Sequence, residues 1–191
     1  MYRDNSLMPK EAVRLATLGE LARQPLRYAE LAIAVRRFTS RIVGPSLDLM
    51  GTSLELLRYE GLVEAAGGSG GGSGEGSGLE DNALLRITDA GRREFTTLMR
   101  ANVRAPSSDD LNKLVITLKL RFLDLLEPAD QADQVEGLTG LFETELARLE
   151  DLHVSHAQEP GLLKDWLVHD ISQVRATLAW FAALPPAPGR D

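Results

Sequence analysis

"LVEAAGGSGGGSGEGSGLEDNALLRITDAG" (Leu62–Gly91) joins two short apolar runs through a tract made almost wholly of glycine and serine. "LVEAA" and "ALLRIT" have the length of strands and are separated by turn-forming residues. "TDAG" then reads as a helix start, with Thr88 or Asp89 as N-cap and Phe95, Leu98 and Met99 following at i, i+3 and i+4. Eight of the twelve residues 67–78 are glycine, so that piece behaves as a flexible coil with an r.m.s. reach of about 19 Å. A β-hairpin with a loose tip, running into a helix, is the expectation. A natural insertion, a designed linker and a functional flexible arm are three readings of the tract, and all stay open.

Upstream, three helical patterns precede the hairpin. The first spans residues 10–23, with Leu15, Leu18 and Ala22 on one face, and Gln24-Pro25 closes it. The second places Tyr28, Leu31, Val35 and Phe38 at i, i+3, i+7 and i+10. After a turn through Gly44-Pro45 the third starts with Ser46 as N-cap, buries Leu47, Met50, Leu54 and Leu57, and stops at Gly61. Helix, helix, helix, strand, strand, helix is the outline of a winged helix-turn-helix, and the glycine tract takes the place of its wing tip.

Downstream of "RAPSSDD" the chain is helical throughout. Leu111, Leu114, Val115, Leu118, Phe122 and Leu125 form one stripe, ended by Glu127-Pro128. Val135, Leu138, Phe142, Leu146, Leu149 and Leu152 form a second, and Leu163, Leu167, Ile171, Val174, Leu178 and Phe181 a third. Three amphipathic helices are too few for a stand-alone core, so a homodimer is expected. The fold class is mainly α with a small β wing. Residues 1–104 form a winged helix-turn-helix DNA-binding domain, with 67–78 as its flexible tip, and residues 105–191 a helical dimerisation region.

Composition narrows the function. The 191 residues are 43% apolar and contain no cysteine, which excludes disulfides, thiolate metal sites and cysteine nucleophiles. Neither a signal-peptide pattern nor an apolar run of membrane-spanning length is present, so a soluble cytoplasmic protein with no membrane partner is expected. The net charge of −7 is unevenly spread. Residues 1–104 hold 14 Lys+Arg and 13 Asp+Glu, a net of +1, and residues 105–191 hold 7 and 15, a net of −8. Screening confines surface charge to about 8–10 Å, so the acidic half does not bar the first half from DNA.

"LATLGELARQPLRYAELA", "LMGTSLELLRYEGLVEA", "LLRITDAGRREF" and "FLDLLEP" together resemble the PadR-like family of winged helix-turn-helix transcriptional regulators. Tyr28-Ala29-Glu30-Leu31 stands where a Gly-Tyr-Glu-Leu-like stretch is usual, and Gly51-Thr52 where a Tyr-Pro pair is common. The resemblance implies sequence-specific binding of double-stranded DNA by a dimer, probed at a pseudo-palindromic operator, with repression as the outcome and a small, aromatic effector as a partner.

On that reading the third helix enters the major groove with Asp48, Gly51, Thr52, Glu55 and Arg58 outward. Ser46, Gly51, Thr52 and Ser53 allow close backbone approach and hydrogen bonds to bases or phosphates. Arg36, Arg37 and Arg41 beside the turn, with Arg86 and Arg92 near the wing, are the candidate phosphate contacts; solvated helix ends are the bland alternative. Phe122, Phe142 and Trp166, with Trp180 and Phe181, are candidates for an effector pocket, although filling a core is the commoner use of such rings. His153, His156 and Glu159 have ligand-like spacing near a helix end, where solvated side chains are the rule, so no metal is expected. The chain lacks a nucleophile–base constellation and a phosphate loop, so neither an enzyme nor a cofactor is expected. A winged-helix scaffold that binds proteins and no DNA is the alternative function.

Overall fold

The computed structural model describes residues 9–43, 50–66, 83–103 and 110–185. The elements are α1 (Pro9–Arg23), β1 (Leu26–Arg27), α2 (Tyr28–Val43), α3 (Met50–Tyr59), β2 (Val63–Ala65), β3 (Leu84–Ile87), α4 (Asp89–Arg100), α5 (Asp110–Arg121), a 3-10 turn (Leu123–Leu125), α6 (Pro128–Ser155) and α7 (Leu163–Ala182). The protein is mainly helical, with one small antiparallel sheet in the order β1-β3-β2. This is a winged helix followed by a helical region.

α1 lies at the centre. Ala12, Val13, Leu15, Ala16, Leu18 and Leu21 are all buried, and Thr17 joins them by donating to the Val13 carbonyl at 2.8 Å. The helix is therefore covered on nearly every side, by α2, α3, α4, α5 and β3. A one-faced stripe through Leu15, Leu18 and Ala22 understates it: a helix wrapped all round has no polar face to reveal a period.

The wing is framed by two glycines. Gly61 has φ +71°, and its N–H and that of Leu62 reach back to the Arg58 and Leu57 carbonyls, closing α3 with a left-handed cap. Gly91, in the first turn of α4, sits so close to the residue leading into β2 that a Cβ would fall 2.2 Å from the Leu62 carbonyl oxygen. Thr88 links the two: its hydroxyl donates to the Gly61 carbonyl at 2.7 Å and accepts from the Gly91 N–H at 3.0 Å. Thr88, not Asp89, is thus the N-cap. β2 and β3 pair Val63 with Ile87, Glu64 with Arg86 and Ala65 with Leu85. β1 adds a third strand, Leu26 against Leu85, in a place where sequence pattern indicated only a turn. Two residues are too few to show a period of two.

The expected group of three C-terminal helices divides. α5 turns Leu114, Val115, Leu118 and Phe122 into the winged-helix core, while Ile116 on its other side meets Leu138 and Phe181. Arg121 reinforces the first attachment, pairing with Glu20 at 2.5 Å and lying over the Phe38 ring, 4.3 Å from its centroid. The core of the winged unit thus continues past residue 104. α6 and α7 form an antiparallel hairpin: Phe142 meets Phe181 with ring centroids 5.7 Å apart, and Leu149 packs with Leu167 and Ile171.

Candidate nucleic-acid interface

α3 presents its inner face through Leu54 and Leu57, each 1% exposed. The opposite face carries Glu55, Leu56, Arg58 and Tyr59, all solvent-accessible, with Tyr59 90% exposed. Gly51, Thr52 and Ser53 fall in the first turn of this helix. Ser46, Asp48 and the tip at 67–78 lie outside the described residues. Leu56 and Tyr59 were not singled out as contacts, yet their offset of half a turn from Leu54 and Leu57 already places them outward.

The arginines divide into two groups. Arg36, Arg37 and Arg41 are exposed on α2, the last two four residues apart and so on one side of the helix. Arg86 and Arg92 line a groove of about 730 Å³ between the end of α1, the wing and the start of α4. This groove has mixed charge. Arg86 Nε donates to Glu64 Oε1 at 2.7 Å across the β2–β3 pair, and Arg23 donates to Asp124 at 2.8 Å. Both members of the Arg86–Glu64 pair are half exposed. An ion pair of that kind contributes about 0–1 kcal/mol, so a phosphate can displace the carboxylate at small cost.

Arg14, a residue overlooked in the sequence, links the two helices on either side of the wing. Its guanidinium bridges Glu60 at the end of α3 (2.5 Å) and Glu94 of α4 (3.0 Å). This bridge ties the outward-facing helix to the helix behind the wing. Its signal in the sequence was faint, because a single arginine in an apolar helix does not identify its partners.

The aromatic candidates are not brought together. Phe122 is fully buried against Phe95, with ring centroids 6.1 Å apart. Phe142 meets Phe181 at a tilt in the hairpin, and Trp166 is 61% exposed on α7 beside His169. The three belong to three separate environments. No group of three or more His, Asp or Glu side chains among the described residues is placed to hold a metal ion. His156 instead donates from Nδ1 to the Leu152 carbonyl, 3.0 Å away, with Glu159 3.8 Å from its other nitrogen. No described helix is long and apolar enough to cross a membrane.

Among curated proteins none matches the chain. The family model described as AphA-like transcriptional regulator matches residues 2–185, a span that takes in the wing, the outward face of α3 and the α6–α7 hairpin. The chain therefore belongs to the AphA-like family of transcriptional regulators.

Proposed function

We propose that the protein is a sequence-specific DNA-binding regulator of the PadR-like kind, acting as a cytoplasmic homodimeric repressor at a pseudo-palindromic operator. Residues 1–104 carry the DNA contact and residues 105–191 the dimer contact, with α5 as the shared wall. The observation that carries this reading is the pairing of an outward α3 face with the exposed arginines of α2, on a scaffold held by the Arg14 bridge. In a two-fold dimer the two α3 helices lie about 34 Å apart and enter successive major grooves. Arg37, Arg41 and Arg58 supply phosphate contacts alongside Arg36, Arg86 and Arg92, and the first turn of α3 (Gly51, Thr52, Ser53, after Ser46) approaches the bases.

A mobility-shift assay on the DNA upstream of the protein's own coding region tests it. Arg37→Ala with Arg41→Ala should abolish the shift and leave the oligomeric state unchanged. With three or four phosphate contacts per protomer, log K against log salt should slope at about −5 to −7. A slope near zero on every sequence rejects DNA binding.

One observation favours the alternative, a protein-binding scaffold: Glu55 on the outer face of α3 and the Glu64 partner of Arg86 both oppose phosphate. In that case the double arginine variant and the wild type behave alike on DNA.

A further inference from the structure

Lys119 of α5 is 1% exposed. Its ammonium donates to the Met99 carbonyl at the end of α4 and to Gln134 Oε1 on α6, the latter at 2.9 Å. Both acceptors are neutral. An ammonium has three donors, and none of the described carboxylates lies within ion-pair distance of this one. Burying a charge without a counter-ion is costly unless something else supplies the opposite charge. Desolvation lowers its pKa to about 8, so at neutral pH the group still carries its proton.

Beside it, where α4, α5 and α6 meet, is a cleft of about 600 Å³, within the size range of small-molecule sites. Val103, Leu138 and Leu141 give it an apolar side and Asn102 an amide. On α6 the wall is bare backbone, since a Cβ at Gly137 or Gly140 would meet nothing within 4 Å. Arg100, at the edge, is already held in a two-point pair by Asp130, with contacts of 2.7 and 2.8 Å. Asp133 also lines the cleft and opposes a second negative charge.

We propose that this cleft binds a small organic monocarboxylate, whose carboxylate is the counter-ion of Lys119 and whose apolar body lies against Val103, Leu138 and Leu141. A dianion is disfavoured by Asp133. Because the ammonium also joins the end of α4 to α6, a bound acid competes for the group that pins the winged unit to the hairpin. The site goes beyond the DNA-binding reading and does not depend on it, since its occupancy is measured without DNA.

The test is calorimetric titration of the full chain with benzoate and hexanoate, and with benzamide and hexanamide as neutral counterparts. At least one acid should bind about tenfold or more tightly than its amide, a difference of about 1.4 kcal/mol. Lys119→Met should remove that preference. Asp133→Asn should tighten the acid two- to fivefold, an effect of about 0.4–1 kcal/mol. Gly140→Leu keeps Lys119 but fills the cleft, and should weaken binding even if Lys119→Met fails to fold. Equal affinity for acid and amide, no binding of either acid, or full affinity in Gly140→Leu each overturns the site while leaving the mobility-shift result untouched.

Discussion

The winged unit and the α6–α7 hairpin are both built from helices with apolar stripes, yet they bury their surfaces very differently. In the first, one continuous cluster runs from Ala12 on α1 through Leu54, Leu85 and Phe95 to Phe122 at the end of α5. In the second, two small clusters form around Leu138 with Phe181 and around Leu149 with Leu167 and Ile171. The hairpin also leaves Val154, Leu163, Trp166, Val168 and Trp180 in solvent. Two helices lying side by side can cover only one stripe each, whereas a central helix is enclosed by its neighbours. The winged unit thus has one continuous core, whereas the hairpin has an uncovered face, which the proposed homodimer would cover.

The largest expected effect comes from comparing the two cores. Leu18→Ala empties a site closed on all sides and should cost about 3–5 kcal/mol in urea-induced unfolding. Leu149→Ala, in a shallow cluster whose walls can move in, should cost about half that. Equal costs would break the contrast.

Lys119 sharpens it, because the seam between the two units passes through this residue. Its folded pKa, about 8, lies below the ordinary lysine value of 10.5. Between those values the unfolded chain holds the proton that the folded chain has released. Stability therefore rises with pH across this window, by an amount on the order of 3 kcal/mol. Lys119→Met should remove that rise. Unfolding midpoints of the variant and wild type between pH 7 and 10.5 measure it, and parallel curves would place the ammonium in water.

The smallest effect concerns the uncovered face. Trp166→Ala with Trp180→Ala should raise the dimer dissociation constant about tenfold or more, or about 1.4 kcal/mol, as read by sedimentation. The wild-type far-UV spectrum should be retained. A monomeric wild type would remove the partner from that face.

Much of this was legible beforehand, for local reasons. "ITDAG" marks the start of α4 at Thr88 or Asp89, and Gly61 marks the end of α3. Those are short-range steric and hydrogen-bond requirements, read from a few adjacent residues. β1 was missed because two residues carry no period, and its pairing with β3 is a contact between distant parts of the chain. Of the candidate site, the outward face of α3 and the α2 arginines were legible from helical phase. The Arg86–Glu64 pair, the Arg14 bridge and the dispersal of Phe122, Phe142 and Trp166 were not.

From the amino-acid order alone came the helices, the two wing strands and the caps between them, because hydrophobic period and backbone sterics act over one or two turns. Tertiary structure alone decided which inward face meets which: that α5 closes the winged core, that α1 is enclosed on nearly every side, and that Lys119 is sealed among α4, α5 and α6 beside a cleft. A stripe of leucines states that it will be covered, and any apolar surface of matching shape can cover it. Complementary packing across the whole fold chooses among those surfaces.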